Sequence, residues 1–181
     1  MPLDADTLSD LVATTRRYVD ERLIPNEARL AEEDRVPGEI VEEMKQLGFF
    51  GLTIPEEYGG LGLTTEEEVV LGFELGRCSP AFRSAFGTNT GIGSQAIVLD
   101  GTPEQKARYL PRLATGELVG SFALSEPDAG SDAASITTRA ERDGDEYVLN
   151  GTKRYITNAP NAGLFTVMAR TDPAQRGARG V

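Results

Sequence analysis

The sequence predicts an α+β chain: an all-helical N-terminal domain over residues 1–118, then over 119–181 the first part of an antiparallel β-barrel or meander domain. Three observations carry this. Apolar residues recur at helix spacing before residue 118 and fall into strand-length runs after it. Between those runs stand Asp143-Gly144 and Asn150-Gly151, which are hairpin signals because a type I′ turn needs positive φ at both central residues.

Taken in order, Leu8, Leu11, Val12, Thr15 and Val19 share one helical face, and Ile40, Met44 and Leu47 repeat the pattern before Gly48. Thr65 with Glu68 and Thr102 with Gln105 have the spacing of capping boxes, in which a hydroxyl accepts from a free backbone N–H and the third residue on accepts in return. Pro103 suits the first helical position, where its missing N–H costs nothing. Its helix is expected to turn Ala107, Leu110 and Leu113 inward and to end near Gly116. Leu118 to Leu124 reads as a strand, followed by the loop SEPDAGSDAASI from Ser125 to Ile136. Strands are then expected at 136–142, 145–149 and 152–157 as a β-meander, and Leu164 to Ala169 adds another before a loop-like tail. These strands do not close a sheet, so its remainder is expected outside the chain.

The 181 residues suit one or two globular domains with a real core. Cys78 is the only cysteine and there is no histidine, which excludes an internal disulfide, a thiolate zinc site, His-ligated metals and Ser-His-Asp catalysis. No metal ligand set is therefore expected. A net charge of −11 without a Lys/Arg cluster argues against nucleic-acid and anionic-membrane partners. No apolar run approaches the roughly 18 residues of a membrane span, and the acidic start MPLDADTLSD is unlike a targeting peptide, so a cytoplasmic location is expected. An anionic ligand would have to be held by local donors against the overall field.

The loop from Ser125 admits two readings. Pro, Gly, Asp and Ser together make a plain turn with solvated acids. Alternatively, Ala129-Gly130-Ser131 lets backbone approach a ligand closely, with N–H groups and hydroxyls donating to an anionic or carbonyl-rich ring, and Phe122 on the preceding strand either flanks that ring or serves as core. Glu56 and Glu57, adjacent acids in a proline-glycine turn, read as solvated.

Four stretches in register resemble the acyl-CoA dehydrogenase family: GFFGLTIPEEYGGLGL from Gly48, GTPEQKARYLPRLATGE from Gly101, FALSEPDAGSD from Phe122 and NGTKRYITNA from Asn150. The resemblance runs from about residue 5 to the end and covers the family's N-terminal helical domain and the start of its middle β-domain. The family's C-terminal helical domain has no counterpart here, and its catalytic glutamate is expected beyond residue 181.

By this resemblance the chain is part of an FAD-dependent oxidoreductase that dehydrogenates an acyl-CoA to a trans-2-enoyl-CoA, as in fatty-acid β-oxidation. An electron-transfer flavoprotein is the implied acceptor and a homotetramer the implied assembly. Phe122, Ala123, Leu124, Ser125, Gly130 and Ser131 are implied to lie along the flavin, with the Ser125 hydroxyl bonding the ring and Ser131 also touching the thioester. Tyr155, Ile156 and Thr157 match a segment that packs on the flavin, with Tyr155 in place of the commoner tryptophan. Glu126 and Asp132 are expected to hold the loop's shape rather than act as bases. The stretch FGTNTGIGSQAIVL from Phe86 matches the helix bordering the acyl pocket; its small residues either leave room for a ligand or allow close helix packing. Two rivals stay open: a flavin oxidase or monooxygenase of the same fold, and a non-catalytic, partner-dependent module.

Overall fold

The computed structural model describes residues 2–175 and 177–181. Helix α1 (Ala5–Tyr18) opens at Asp4, whose carboxylate accepts from the Thr7 amide at 2.9 Å. The chain continues through a π-helical turn (Val19–Leu23) and a 3₁₀ turn containing Pro25 into α2 (Glu27–Glu33), and then α3 (Gly38–Gln46). Helices α4 (Thr65–Leu75), α5 (Pro80–Thr90), α6 (Gln95–Asp100) and α7 (Pro103–Ala114) complete the helical part. Among the described residues no helix is long and apolar enough to cross a membrane.

The helical core is aromatic. Phe49, Phe50, Phe82 and Phe86 are buried, and Phe49 lies 5.4 Å from the Phe86 ring and 5.8 Å from Tyr18. Val19, Leu23, Ile40, Met44 and Leu71 pack around them, so the helix-spaced residues of α1 and α3 do face inward. A smaller cluster of Ile54, Leu110, Leu113, Ala114 and Leu118 lies beneath α7.

Two helix details differ from expectation. The capping box of α4 is Thr64 with Glu67, not Thr65 with Glu68. Either pair fits the spacing, but Glu67 also accepts from the Leu3 amide at 2.5 Å and is buried, which fixes the earlier frame. In α7 the Thr102–Gln105 box forms as expected, yet Ala107 is exposed, because the inward face runs through Lys106, Tyr109–Leu110 and Leu113–Ala114. The stretch from Phe86 is not one helix; it is divided between the end of α5 and α6, with a break at Gly91.

Among the described residues beyond 118 there are two short sheets rather than one meander. β1 (Gly120–Ala123) pairs in parallel with β4 (Leu164–Val167), and β2 (Arg139–Asp143) pairs antiparallel with β3 (Glu146–Asn150). The hairpin turn is Gly144-Asp145, with positive φ on Gly144 alone, the type II′ pattern. Asn150-Gly151 makes no hairpin. Gly151 is instead where the chain crosses Thr138, since a Cβ there would lie 2.4 Å from Thr138 Oγ1. Residues 152–157 form no strand, because Tyr155 at φ +59° interrupts extension and the segment bonds to loops instead of a ladder.

Asn89, fully buried near the end of α5, joins the helical and β parts. Its Nδ2 donates to the Leu113 and Leu118 carbonyls at 2.9 and 2.7 Å, and its Oδ1 accepts from the Gly120 amide at 2.8 Å. One amide thus satisfies the end of α7, the connection after it and the first residue of β1. Asn89→Leu leaves the Leu118 carbonyl and the Gly120 amide without this partner, while the Leu113 carbonyl keeps the Gly116 amide, and is expected to destabilise the chain by about 2 kcal/mol. Urea unfolding measures this; an unchanged midpoint would show that the amide is not a clamp.

Candidate functional site

A cleft of about 300 Å³ opens between the end of α5, β1 and the segment after β3. Thr88 and Ile92 line one side, Phe122, Leu124 and Ser125 the second, and Tyr155, Ile156 and Thr157 the third. Strand alternation aims them: Ser121 and Ala123 are buried inward, which turns Phe122 toward the cleft. Ala123 therefore lies behind the wall, while Gly130 and Ser131 are exposed beyond the next turn and outside the cleft.

The third wall is tied to the others by polar contacts. Ser121 Oγ donates to the Thr157 carbonyl at 2.6 Å, and the Arg154 amide donates to the Ser125 carbonyl at 2.9 Å. Asn158 Nδ2 donates to the Ser84 carbonyl at 2.8 Å and to Thr88 Oγ1 at 2.9 Å, fastening the segment to α5. These ties hold Tyr155 and Asn158 in the left-handed region, at φ +59° and +63°. Asparagine accepts that conformation readily; tyrosine does so at some cost. The Tyr155 ring is 80% exposed at the cleft mouth, with the Arg154 guanidinium 4.5 Å from its centroid.

Behind Ser125 lies a buried ion pair. Lys153 Nζ donates to Glu126 Oε1 and to the Leu124 carbonyl, both at 2.9 Å. Glu126 also accepts from the Thr137 amide and hydroxyl at 2.6 and 2.8 Å and from the Thr138 amide at 2.9 Å. Burial alone would raise this carboxyl; the bonds from Thr138 and Thr137 and the Lys153 ammonium outweigh it and hold it well below the usual carboxylate range. Glu126 thus shapes the loop, as expected of it, and Asp132 accepts from the Ser135 hydroxyl. Glu56 and Glu57 are exposed.

The cleft has apolar and aromatic faces, the Ser125 and Thr157 hydroxyls and no titratable carboxylate or imidazole among its lining residues. It can hold a flat, partly polar ring and cannot itself move a proton from carbon at neutral pH. Lys153 and Asn158 were not singled out by the sequence. Their roles depend on a crossover that brings residues 153–158 against 84–88 and 124–126, and no local pattern announces it.

The family model for the acyl-CoA dehydrogenase N-terminal domain matches residues 5–117, and that for the middle domain matches 121–181. The chain is 44% identical over 158 residues to (2S)-methylsuccinyl-CoA dehydrogenase of Cereibacter sphaeroides, covering 87% of this chain and 29% of that protein. It is 39% identical to mitochondrial isovaleryl-CoA dehydrogenase of Bos taurus, covering 88% and 38%. A solved glutaryl-CoA dehydrogenase of Mycobacterium smegmatis, in complex with FADH2, superposes with a TM-score of 0.80 at 40% identity, covering 94% and 44%. The chain therefore spans less than half the length of each of these proteins.

Because native Glu126 binds its proton more weakly than the unfolded chain does, its contribution to stability is complete above the ordinary value of 4.5 and is lost as pH falls below it. The stability gap between the wild type and Glu126→Gln is expected to narrow on that acid side. Lys153→Met strands a buried carboxylate and should cost about 3 kcal/mol at neutral pH. Denaturant titrations across pH check both, and a gap that does not change with pH would remove Glu126 from the loop's electrostatics.

Proposed function

The chain belongs to the acyl-CoA dehydrogenase family, and we propose that it supplies one wall of the FAD and thioester site of an enzyme that dehydrogenates acyl-CoA to trans-2-enoyl-CoA. The observation that carries this is the cleft itself, which gathers Phe122, Leu124, Ser125, Tyr155, Ile156 and Thr157 from segments far apart in sequence. Its residues fit a flavin. Phe122, Leu124 and Ile156 offer an apolar face to a flat ring, Ser125 and Thr157 offer hydroxyls to its polar edge, and the carboxylate next to Ser125 in the chain, Glu126, is already paired with Lys153.

FAD, when bound, supplies the acceptor for the hydride leaving the β-carbon. The chain's own part is positional. Ser125 donates to the ring edge, the tied segment from Arg154 to Asn158 keeps Tyr155 and Ile156 against it, and Phe122 excludes water from one side. In this reading Gly130 and Ser131, outside the cleft, meet the cofactor or the CoA thioester from its rim. The lining holds no carboxylate, and in this reading the base that takes the α-proton is a glutamate contributed from elsewhere, as the family resemblance implies. The same reading takes an electron-transferring flavoprotein as acceptor and a homotetramer in the cytoplasm as the working assembly. The acyl group is left between two kinds by the relatives' names: isovaleryl ends in a methyl branch, whereas methylsuccinyl and glutaryl end in a carboxylate.

Ser125→Ala in the intact protein is expected to weaken FAD binding by about 1–3 kcal/mol, through loss of a donor that bound FAD would bury. Flavin fluorescence titration measures it. Equal affinity and equal turnover in the variant would move the flavin elsewhere.

A further inference from the structure

Two adjacent residues of one segment hold both peptide groups that flank the Ser125 Cα. Lys153 Nζ donates to the Leu124 carbonyl at 2.9 Å, and the Arg154 amide donates to the Ser125 carbonyl at 2.9 Å. Each of those carbonyls belongs to a rigid peptide plane, so fixing both planes fixes the two backbone angles of Ser125 and the direction of its Cα–Cβ bond. The Ser125 N–H shares its plane with the Leu124 carbonyl and is turned the opposite way, away from Lys153. No backbone acceptor among the described residues takes it.

Of the two ties, the lysine is the unusual one. Its head group is anchored by Glu126 Oε1 at 2.9 Å, and only 13% of the lysine side chain and 3% of the glutamate side chain are exposed. Taking such a pair out of water is costly, and an apolar pair of similar volume is often as stable, so stability by itself gives little reason for a lysine here. What an ammonium adds is a charge-assisted bond to the Leu124 carbonyl, roughly twice as strong as a neutral one. Lys153 is absent from the cleft lining, whereas Leu124 and Ser125 belong to it. The same side chain also joins two walls, because the residues that follow it are Arg154 and then Tyr155, Ile156 and Thr157 of the third wall.

We propose that Lys153 is a positioning residue for cofactor binding: it aims the Ser125 donor at the polar edge of a ring in the cleft and sets the gap between Ser125 and the wall from Tyr155 to Thr157. The proposal rests on the reading of the cleft as the flavin wall. Lys153 acts through the Leu124–Ser125 peptide and does not meet the ring, and Glu126 takes part by holding the ammonium in place.

The test is a double-mutant cycle in the intact protein, read by fluorescence titration of the apoprotein with FAD and by the visible absorption bands of the bound flavin. Lys153→Met is made in a Glu126→Gln background, where it strands no carboxylate, with and without Ser125→Ala. With Ser125 present, Lys153→Met is expected to raise the FAD dissociation constant about 10-fold and to shift the flavin bands; with Ser125→Ala it adds less than about twofold. Lys153→Arg, which keeps the charge of the pair on a longer, planar group, is expected to raise the constant by less, and again only where Ser125 is present. Equal losses with and without Ser125 overturn the proposal, since they give Lys153 a role in the fold alone, and so does an unchanged affinity. If Ser125→Ala leaves FAD affinity unchanged while Lys153 is intact, the reading of the cleft itself fails and the proposal falls with it.

Discussion

The carboxamide of Asn89 is the contact on which the arrangement of the two halves depends. A side-chain amide carries donors and an acceptor on one rigid plane, so it can serve two carbonyls and an N–H at once. Here those groups are the Leu113 and Leu118 carbonyls and the Gly120 amide, all beside α5. A hydrophobic residue would fill the space but leave the Leu118 carbonyl and the Gly120 amide unpaired away from water, the Leu113 carbonyl alone keeping a second donor in the Gly116 amide. Because Thr88 precedes Asn89 and Phe122 follows Gly120 by two residues, the same bonds set the distance across the cleft.

The far wall is held by a different means. Residues 152–158 have no ladder of their own, and their backbone and side-chain groups are satisfied one by one by Ser121, Ser125, Leu124 and α5. Several independent ties overdetermine the segment, which is how Tyr155 can persist at positive φ. The energetic cost falls where an aromatic face is presented at a cleft mouth. Lys153 and Glu126 contribute by lying beneath, since a buried pair with further hydrogen bonds resists displacement more than an exposed one.

How much of this the sequence disclosed follows the range of each signal. Local chemistry read well: the Thr102–Gln105 box with Pro103, the inward faces of α1 and α3, the change from helix to strand, and the loop-holding role of Glu126. Ambiguity between overlapping local patterns was settled only by distant partners, as when the Leu3 amide selects Glu67 over Glu68. Long-range topology was misread. The parallel pairing of β1 with β4 depends on a return path through residues 124–163, and Gly151 owes its place to Thr138 rather than to a turn. In the site, the aromatic and hydroxyl lining came from motifs in register, whereas Asn158 gains meaning only when α5 is laid against the later segment.

Electrostatics gives the cleft its character despite the acidity of the chain. The C-terminal end of α5 points toward it, and helix carbonyls at such an end carry partial negative charge that would repel an anion or a carbonyl-rich ring. Asn158 donates its amide to the Ser84 carbonyl and the Thr88 hydroxyl. The buried acids are each compensated: Glu67 by backbone donors, Glu74 by Arg16 and Arg77, Glu126 by Lys153. What a ligand meets at short range is therefore set by hydroxyls and amides, with the Arg154 guanidinium over Tyr155 at the mouth, while the surface acids act through water at longer range and are screened by salt. Local donors outweigh net charge because fields in a partly dry cleft fall off more slowly than those outside it.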